Sequence, residues 1–414
     1  YNSSEITFTA RQPITKDKRI VVEFQYTSQA YARSLIQFSD NLKGKNFEGY
    51  INVYSEQDNK NRPLLQDITD DNILLLESIG DNIDEALVES SRTVDFSTDR
   101  VLYKKVPGPD GDSIFVFSTN PDSARFQVSF SNVGSGNGDY VEKPSTANGR
   151  VFEYTNRSNG VSQGNYAPVV LLVTPKKRQM VTAGGSIRIG KRGKLITEGA
   201  LTVFDNNRFS EIDSQDDLGF GAMLDYQQSF TFNFLGRKSE ATSSINYEQR
   251  SDNFGIIERY RSVEFDRDWN IRGLPVSGSQ YLPGVGLHLR QDSSLSIRYD
   301  FKSFIAGSSY AGYKNGLSTQ VKKKGVRGNY VGSYLVNRGD LQSADFYRHK
   351  INFQKDIGFL TIGYRDDLEN NMQRNSNNES LLQSAYRFYE WEAYVANRDT
   401  TGTYYKLGIH KTNR

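Results

Sequence analysis

Apolar and polar residues alternate along much of this chain. In "SSLSIRYDFKSFIAG" (293–307), Leu295, Ile297, Tyr299 and Phe301 alternate with Ser296, Arg298, Asp300 and Lys302. A period of two is the side-chain repeat of a β-strand, whose successive residues point to opposite faces of its sheet. One face therefore seeks apolar company. The other needs water, a polar lumen or opposite charges, because an unpaired buried charge is costly. A soluble sheet with one wet face, a barrel lined by polar side chains and a binding surface all satisfy this pattern.

The same alternation predicts strands around Ile6 and Phe8, then over Ile20, Val22, Phe24 and Tyr26, as a hairpin-like start. "LLQDITDDNILLLESIGDNIDEALVES" changes rhythm: Ile73, Leu76 and Ile79 recur at helical spacing. Thr69 or Asp70 can cap this helix, and Gly80 can end it before Asp81 or Asn82 starts a second. "RVLYKKV" and "SIFVFST", joined by "PGPDGD", read as a β-hairpin. "ARFQVSFSNV" alternates again, and "APVVLLV" reads as a short buried strand.

From "TPKKRQM" onward no further helix is expected, and about a dozen strands recur between turns such as "GKRGK" and "NRGDLQSAD". That rhythm predicts an up-and-down meander. The expected fold is mainly β. A β-sandwich-like module with a helical insert at about 64–90 occupies residues 1–174. An antiparallel meander over 175–414 forms all or part of an outer-membrane barrel, or a very large sheet, incomplete at its C-terminal end. Because the sequence opens at Tyr1 almost inside a strand pattern, a chain cut from something longer is expected.

Composition narrows the classes. The 414 residues include 25 Tyr and 24 Phe but only 10 Pro, which favours folded, strand-forming sequence over disorder. A net charge of +2 provides no overall field for nucleic acid. With no Cys, disulfides, thiolate metal sites and thiol nucleophiles are excluded. No apolar run is long enough for a membrane helix, a criterion that does not bear on a barrel.

The stretches "YNSSEITFTARQPITKDKRIVVEFQYTSQAYARSL", "FSNVGSGNGDYV", "NGRVFEY", "QGNYAPVVLLVTPKKRQM" and "ERYRSVEFDRDWNI", in this order, resemble a family of large, β-rich cell-envelope proteins of Bacteroidota. The resemblance covers roughly residues 1–271. It implies an outer-membrane or cell-surface location in a Gram-negative bacterium, with outer-membrane lipid or lipopolysaccharide as the surroundings. It carries no catalytic motif.

Candidate chemistry is sparse. His288, His349 and His410 fall on three different predicted strands without metal-ligand spacing. There is no G-x-S-x-G elbow. Asp266 with Asp268, and Glu390 with Glu392, are i, i+2 carboxylate pairs that a strand would place on one face about 7 Å apart, within the range used for glycoside hydrolysis. Neighbouring Arg261, Arg267 and Arg272 favour ordinary ion pairs instead. "DNNRFSEIDSQDD" (205–217) offers Asp205, Glu211, Asp213, Asp216 and Asp217 as hard-cation oxygens, without EF-hand spacing, and a solvated hairpin loop is the preferred reading, since turns commonly use Asp and Asn. "GSGNGDY" lacks the Lys and the helix of a phosphate loop and reads as a turn. "VKKKGVRGNY" gathers Lys322, Lys323, Lys324 and Arg327; a phosphate-rich partner is one reading, and a charged strand that discourages edge pairing is the preferred one. Tyr389, Trp391 and Tyr394 suit sugar stacking, an interfacial girdle or core packing.

The expected function is non-enzymatic: an envelope β-protein with a structural, transport or assembly role and no cofactor. The alternatives are a soluble or surface-attached β-scaffold binding a glycan or another envelope protein and, further off, a glycoside hydrolase. Two interruptions weigh against a lipid-facing sheet. Arg267 stands between Phe265 and Trp269, and Glu198 between Ile196 and Ala200.

Overall fold

A computed structural model describes residues 30–64, 66–109, 111–145, 149–212, 214–234, 236–398 and 404–413. The hairpin expected around Ile6 to Tyr26 lies outside the described residues. The molecule is mainly β, and one sheet of fifteen strands dominates it. Its strands are β1 (Tyr31–Lys43), β2 (Phe47–Pro63), β3 (Lys177–Ile189), β4 (Gly193–Asp205) and β5 (Leu218–Phe234). They continue as β6 (Arg237–Arg250), β7 (Gln280–Tyr281), β8 (Gly284–Gln291), β9 (Leu295–Ala306) and β10 (Tyr310–Lys323). The last five are β11 (Val326–Gly339), β12 (Gln342–Ile357), β13 (Leu360–Asn375), β14 (Tyr386–Asn397) and β15 (Lys406–Asn413). Each pairs antiparallel with the next, except that β7 and β8 share the place between β6 and β9. Among the described residues, β1 and β15 have one partner strand each.

The large sheet starts earlier than residue 175. β2 pairs with β3 in continuous register from Phe47↔Ile187 to Gln57↔Lys177, so β1 and β2 belong to the meander and not to a separate module over 1–174. The smaller sheets lie inside the β2–β3 connection. One joins Arg92–Thr93, Phe126–Gln127, Tyr103–Pro107 and Ser113–Phe117; a second joins Val151–Tyr154, Tyr140–Lys143, Tyr166–Ala167 and Ser131–Asn132; a third pairs Leu87–Glu89 with Val169–Leu171. Tyr103, Phe115, Tyr140 and Phe152 are buried between the first two, making a small β-sandwich. The hairpin read from "RVLYKKV" and "SIFVFST" is its centre, with Tyr103↔Phe117 and Val106↔Ile114 in register.

The helical insert forms α1 (Asp70–Ser78). Thr69 caps it through a full capping box with Asn72, satisfying amide groups that the first turn leaves without partners. Gly80, at φ +59°, takes the left-handed position that ends it. Leu76 is fully buried with Ala86 and Leu172, and Asn207, from the β4–β5 connection, donates to the carbonyls of Leu76 and Gly80 at 2.7 Å each.

The two ends of the large sheet differ. Along one rim, six of the seven connections between successive strands are two or three residues long, 44–46, 190–192, 235–236, 292–294, 324–325 and 358–359, and the seventh spans 398–405. Lys324 (φ +48°) and Gly325 (φ +75°) provide the two positive φ angles of a type I′ turn. The three longest connections, 64–176, 206–217 and 251–279, leave from the opposite rim, which also carries 376–385 and the short joins 307–309 and 340–341.

Candidate functional site

Cross-strand register fixes which side chains share a face, and it separates the large sheet by chemistry. On one face Phe38, Val53, Val181, Leu201 and Phe220 form a single row across β1 to β5. The same face holds further rows, Leu287, Tyr299 and Leu317 across β8 to β10, and Phe353, Tyr364, Ala393 and Ile409 across β12 to β15. Among the described residues no protein layer lies over these groups: Leu201 is 56 % exposed, Leu287 54 % and Ile245 51 %. The opposite face carries Glu198, Asp225, Glu248, Arg298, Asp300, Lys350, Asp367 and Glu390 on the alternate positions. Ser296, Arg298, Asp300 and Lys302 are among them, and Arg298 bonds to Asp300 along the strand at 3.0 Å.

Neither expected interruption falls on the apolar face. Glu198 shares the polar face with Ile196 and Ala200, while Leu195, Thr197, Gly199 and Leu201 are on the other, and Tyr50 donates to its carboxylate. Arg267 is not in a strand. "VEFDRDWNI" was expected to be extended, but Phe265–Asp268 is a helical turn, α2. The alternation there is also an i, i+4 pair: Phe265 and Trp269 lie on one side of the turn and pack on Phe304. Departures from the apolar face do exist. Asp40 is one, and Asp366 is another, nearly buried, meeting His349 and accepting from Tyr364 at 2.7 Å and Tyr389 at 2.9 Å.

The 251–279 connection lies on the polar face. Trp269 is buried with Phe304, Ala306, Tyr310, Leu335 and Phe346, all on that face near the rim of long connections. Tyr310 and Asn337 donate to the Trp269 carbonyl. Asn270 and Asn371 exchange side-chain hydrogen bonds at 2.9 and 2.8 Å. Arg267 reaches both Glu369 oxygens, at 2.6 and 2.7 Å. At its start the same segment touches β4: the Gly255 amide donates to Thr202, and a Cβ on Gly255 would stand 2.4 Å from the Phe204 ring. β4 and β13 are eight steps apart, roughly 38 Å across a flat sheet. One segment therefore makes contacts on the polar face at strands eight steps apart. A cavity of about 460 Å³, lined by Tyr54, Met180, Glu198, Met223 and Glu248, separates the segment from β2 to β6.

The carboxylate pairs fare differently. Asp268 is held by Lys314 at 2.8 Å and by Arg348. Burial pushes its carboxyl up, but these two cations outweigh it and leave it below the ordinary range. Asp266 faces Arg259 instead, at 4.0 Å, so the two do not share a strand face. Glu390 and Glu392 do share one. They line a polar-face groove of about 560 Å³ with Lys350, Arg365, Lys406 and His410, and Glu392 is paired to Arg365 and Lys406. His288 bonds Ser296 at 2.9 Å, so the three histidines stand on three separate strands.

The acidic loop 205–217 meets a residue not foreseen with it. Asp81, placed by the left-handed Gly80, brings its carboxylate within 4.8 Å of those of Asp216 and Asp217. These three can each offer one oxygen to a hard cation. Burial, followed by the charges of Asp205, Asp81 and Asp216, pushes Asp217 up to about 6. Asp213 lies outside the described residues. Only the turn signal at Gly80 hinted at Asp81 in the sequence. The Trp269 packing site was hidden by the mistaken strand.

Among families, a domain of unknown function (DUF8818) matches residues 1–28, all outside the described part. No curated protein and no solved structure matches the chain. What the molecule presents is a large β-scaffold: a two-faced antiparallel sheet, one segment seated on its polar face, and a small sandwich carried on a connection.

Proposed function

We propose that this chain is a membrane-spanning part of a non-enzymatic cell-envelope protein of the Bacteroidota type, with a structural, transport or assembly role. The observation that carries the reading is the exposed face of the large sheet, apolar apart from departures such as Asp40 and Asp366, whose other face is polar. A membrane barrel needs this segregation, with lipid outside and a polar lumen within. Most strands run 12 to 17 residues, above the 9 to 11 or so that a tilted strand needs to cross a bilayer. The concentration of the longest connections on one rim and of six short turns on the other fits the same design. The 251–279 segment then acts as an internal obstruction, held to the lumen wall by Arg267–Glu369 and Asp268–Lys314. The sequence resemblance to envelope proteins points the same way.

A surface scaffold that binds a glycan is favoured by one feature, the Asp366 cluster with Tyr389 and Trp391 on the apolar face, where aromatic stacking and hydrogen bonding combine. Fractionation separates the two readings. The intact protein should stay with membranes through high-salt and alkaline washes and leave only in detergent. Recovery in the washed soluble fraction would overturn the membrane reading and leave the scaffold.

A further inference from the structure

The net charge of +2 hides a strong separation along the strand axis. The six tight turns with their flanking residues, 43–48, 188–194, 235–240, 290–294, 322–327 and 355–360, hold fourteen Lys and Arg against four Asp and Glu. The remainder of the chain is therefore net acidic. The topology gathers these dispersed residues on one rim, because antiparallel neighbours bring every second connection to the same end. Lys43, Arg237, Arg290 and Arg327 spend their charge on Glu48, Asp292, Glu240 and Asp356. Lys191, Lys322, Lys323 and Lys324 are exposed and make no ion pair among the described residues. Directly beside this rim the apolar face runs on through Ile187, Phe230, Phe232 and Val321, all exposed.

We infer that the tight-turn rim is a basic collar that docks the phosphates of anionic lipid headgroups while the adjoining apolar face meets their acyl chains. The inference rests on the membrane reading above and adds the class of lipid. Charge complementarity identifies the partner: flexible Lys side chains at the border of an apolar surface attract anionic headgroups, each adding to the affinity until salt screens it. A nucleic acid would need bases stacked on aromatic rings in a basic groove. Here the exposed rings Phe47, Phe230 and Phe232 belong to the apolar face, and Phe359 stands at a turn beside it, so they border an apolar surface.

The test is flotation of the detergent-purified intact protein with vesicles of phosphatidylcholine alone, or with about one third phosphatidylglycerol, at low and high salt. Recovery in the anionic vesicles should exceed that in the neutral ones by roughly tenfold at low salt, and the excess should vanish at high salt. The quadruple variant Lys191→Gln, Lys322→Gln, Lys323→Gln, Lys324→Gln should lose the excess but keep its recovery in neutral vesicles. Equal wild-type recovery in both vesicles overturns the collar and leaves the membrane reading standing. No recovery in either overturns both. Retention of a single-stranded oligonucleotide with equal recovery in both vesicles transfers the rim to nucleic acid.

Discussion

The small sandwich and the large sheet use the same alternating sequence and reach opposite ends. In the sandwich, two sheets close over Tyr103, Phe115, Tyr140 and Phe152, which are at most 6 % exposed. The ring hydroxyls are satisfied inside as well: Tyr140 accepts from the Phe115 amide at 2.8 Å and Tyr103 from the Phe152 amide at 3.1 Å. In the large sheet the apolar set stays outside, and the buried cluster forms on the polar face, where the 251–279 segment arrives. Alternation thus assigns faces. What covers a face is decided by which other segment reaches it, and nothing among the described residues reaches the apolar side of the fifteen strands.

The largest test of this difference is to empty both kinds of site. Phe115→Ala in the sandwich and Trp269→Ala on the polar face should each cost about 3 to 5 kcal/mol, the usual range for deleting a buried aromatic side chain. Leu287→Ala on the apolar face should cost under about 1 kcal/mol in detergent, where no protein packing is lost. Urea unfolding measures all three, and Trp269, one of only two tryptophans, reports on its own segment by fluorescence. A Leu287→Ala cost as large as that of Phe115→Ala would mean that a protein layer covers that face.

A charge placed on the apolar face sharpens the comparison. Leu287→Lys, in the row of Leu287, Tyr299 and Leu317, should cost about 2 to 4 kcal/mol when the protein is folded into vesicles. On a face wetted by water the same substitution should stay within about 0.5 kcal/mol. Refolding yield into vesicles across a urea series reads the difference, with His288→Lys on the polar face as the control. Equal behaviour of the two variants in vesicles would remove the lipid from the proposal.

Several of these features were legible in the sequence, and the reasons are local. The dry set of 293–307, the Thr69 cap and the hairpin at Tyr103–Phe117 each depend on neighbours in sequence. Glu198 was misjudged because it was compared with Ile196 and Ala200, which share its face, and not with the apolar set one residue away. "VEFDRDWNI" misled because Phe265 and Trp269 satisfy both a period of two and an i, i+4 helical pair over so short a span. "APVVLLV" was expected to be buried, but Val170 and Leu171 are about 40 % exposed, since only Leu87–Glu89 pairs with them. The assignment of β2 to the meander could not be read locally. Its register with β3 closes across the whole sandwich, and no spacing in the sequence announces a partner that far away. The same holds for Asp81 with Asp217.

That last pair lies where the two regions meet, and it supplies the smallest effect. α1 and Asp81 belong to the connection that carries the sandwich, while Asp216 and Asp217 lead into β5. The Asp217 carboxyl is raised to about 6, above the roughly 3.9 of an unfolded Asp, so the folded state holds its proton more tightly. The resulting stabilisation is fully present below about pH 4 and is lost as the pH rises through about 6, when the charged group faces Asp205, Asp81 and Asp216. Asp217→Asn should therefore be the more stable form at pH 7 and match the wild type at pH 4. Solvent screening at this half-exposed loop holds the gain to about 1 kcal/mol or less. Proteolytic release of the sandwich, followed from pH 4 to 8, isolates the seam from the rest of the sheet. The wild type should become easier to cleave as the pH rises while Asp217→Asn changes less. If both respond alike, repulsion among these carboxylates does not govern how the sandwich is held against the sheet, and α1 with its Asn207 hydrogen bonds does so alone.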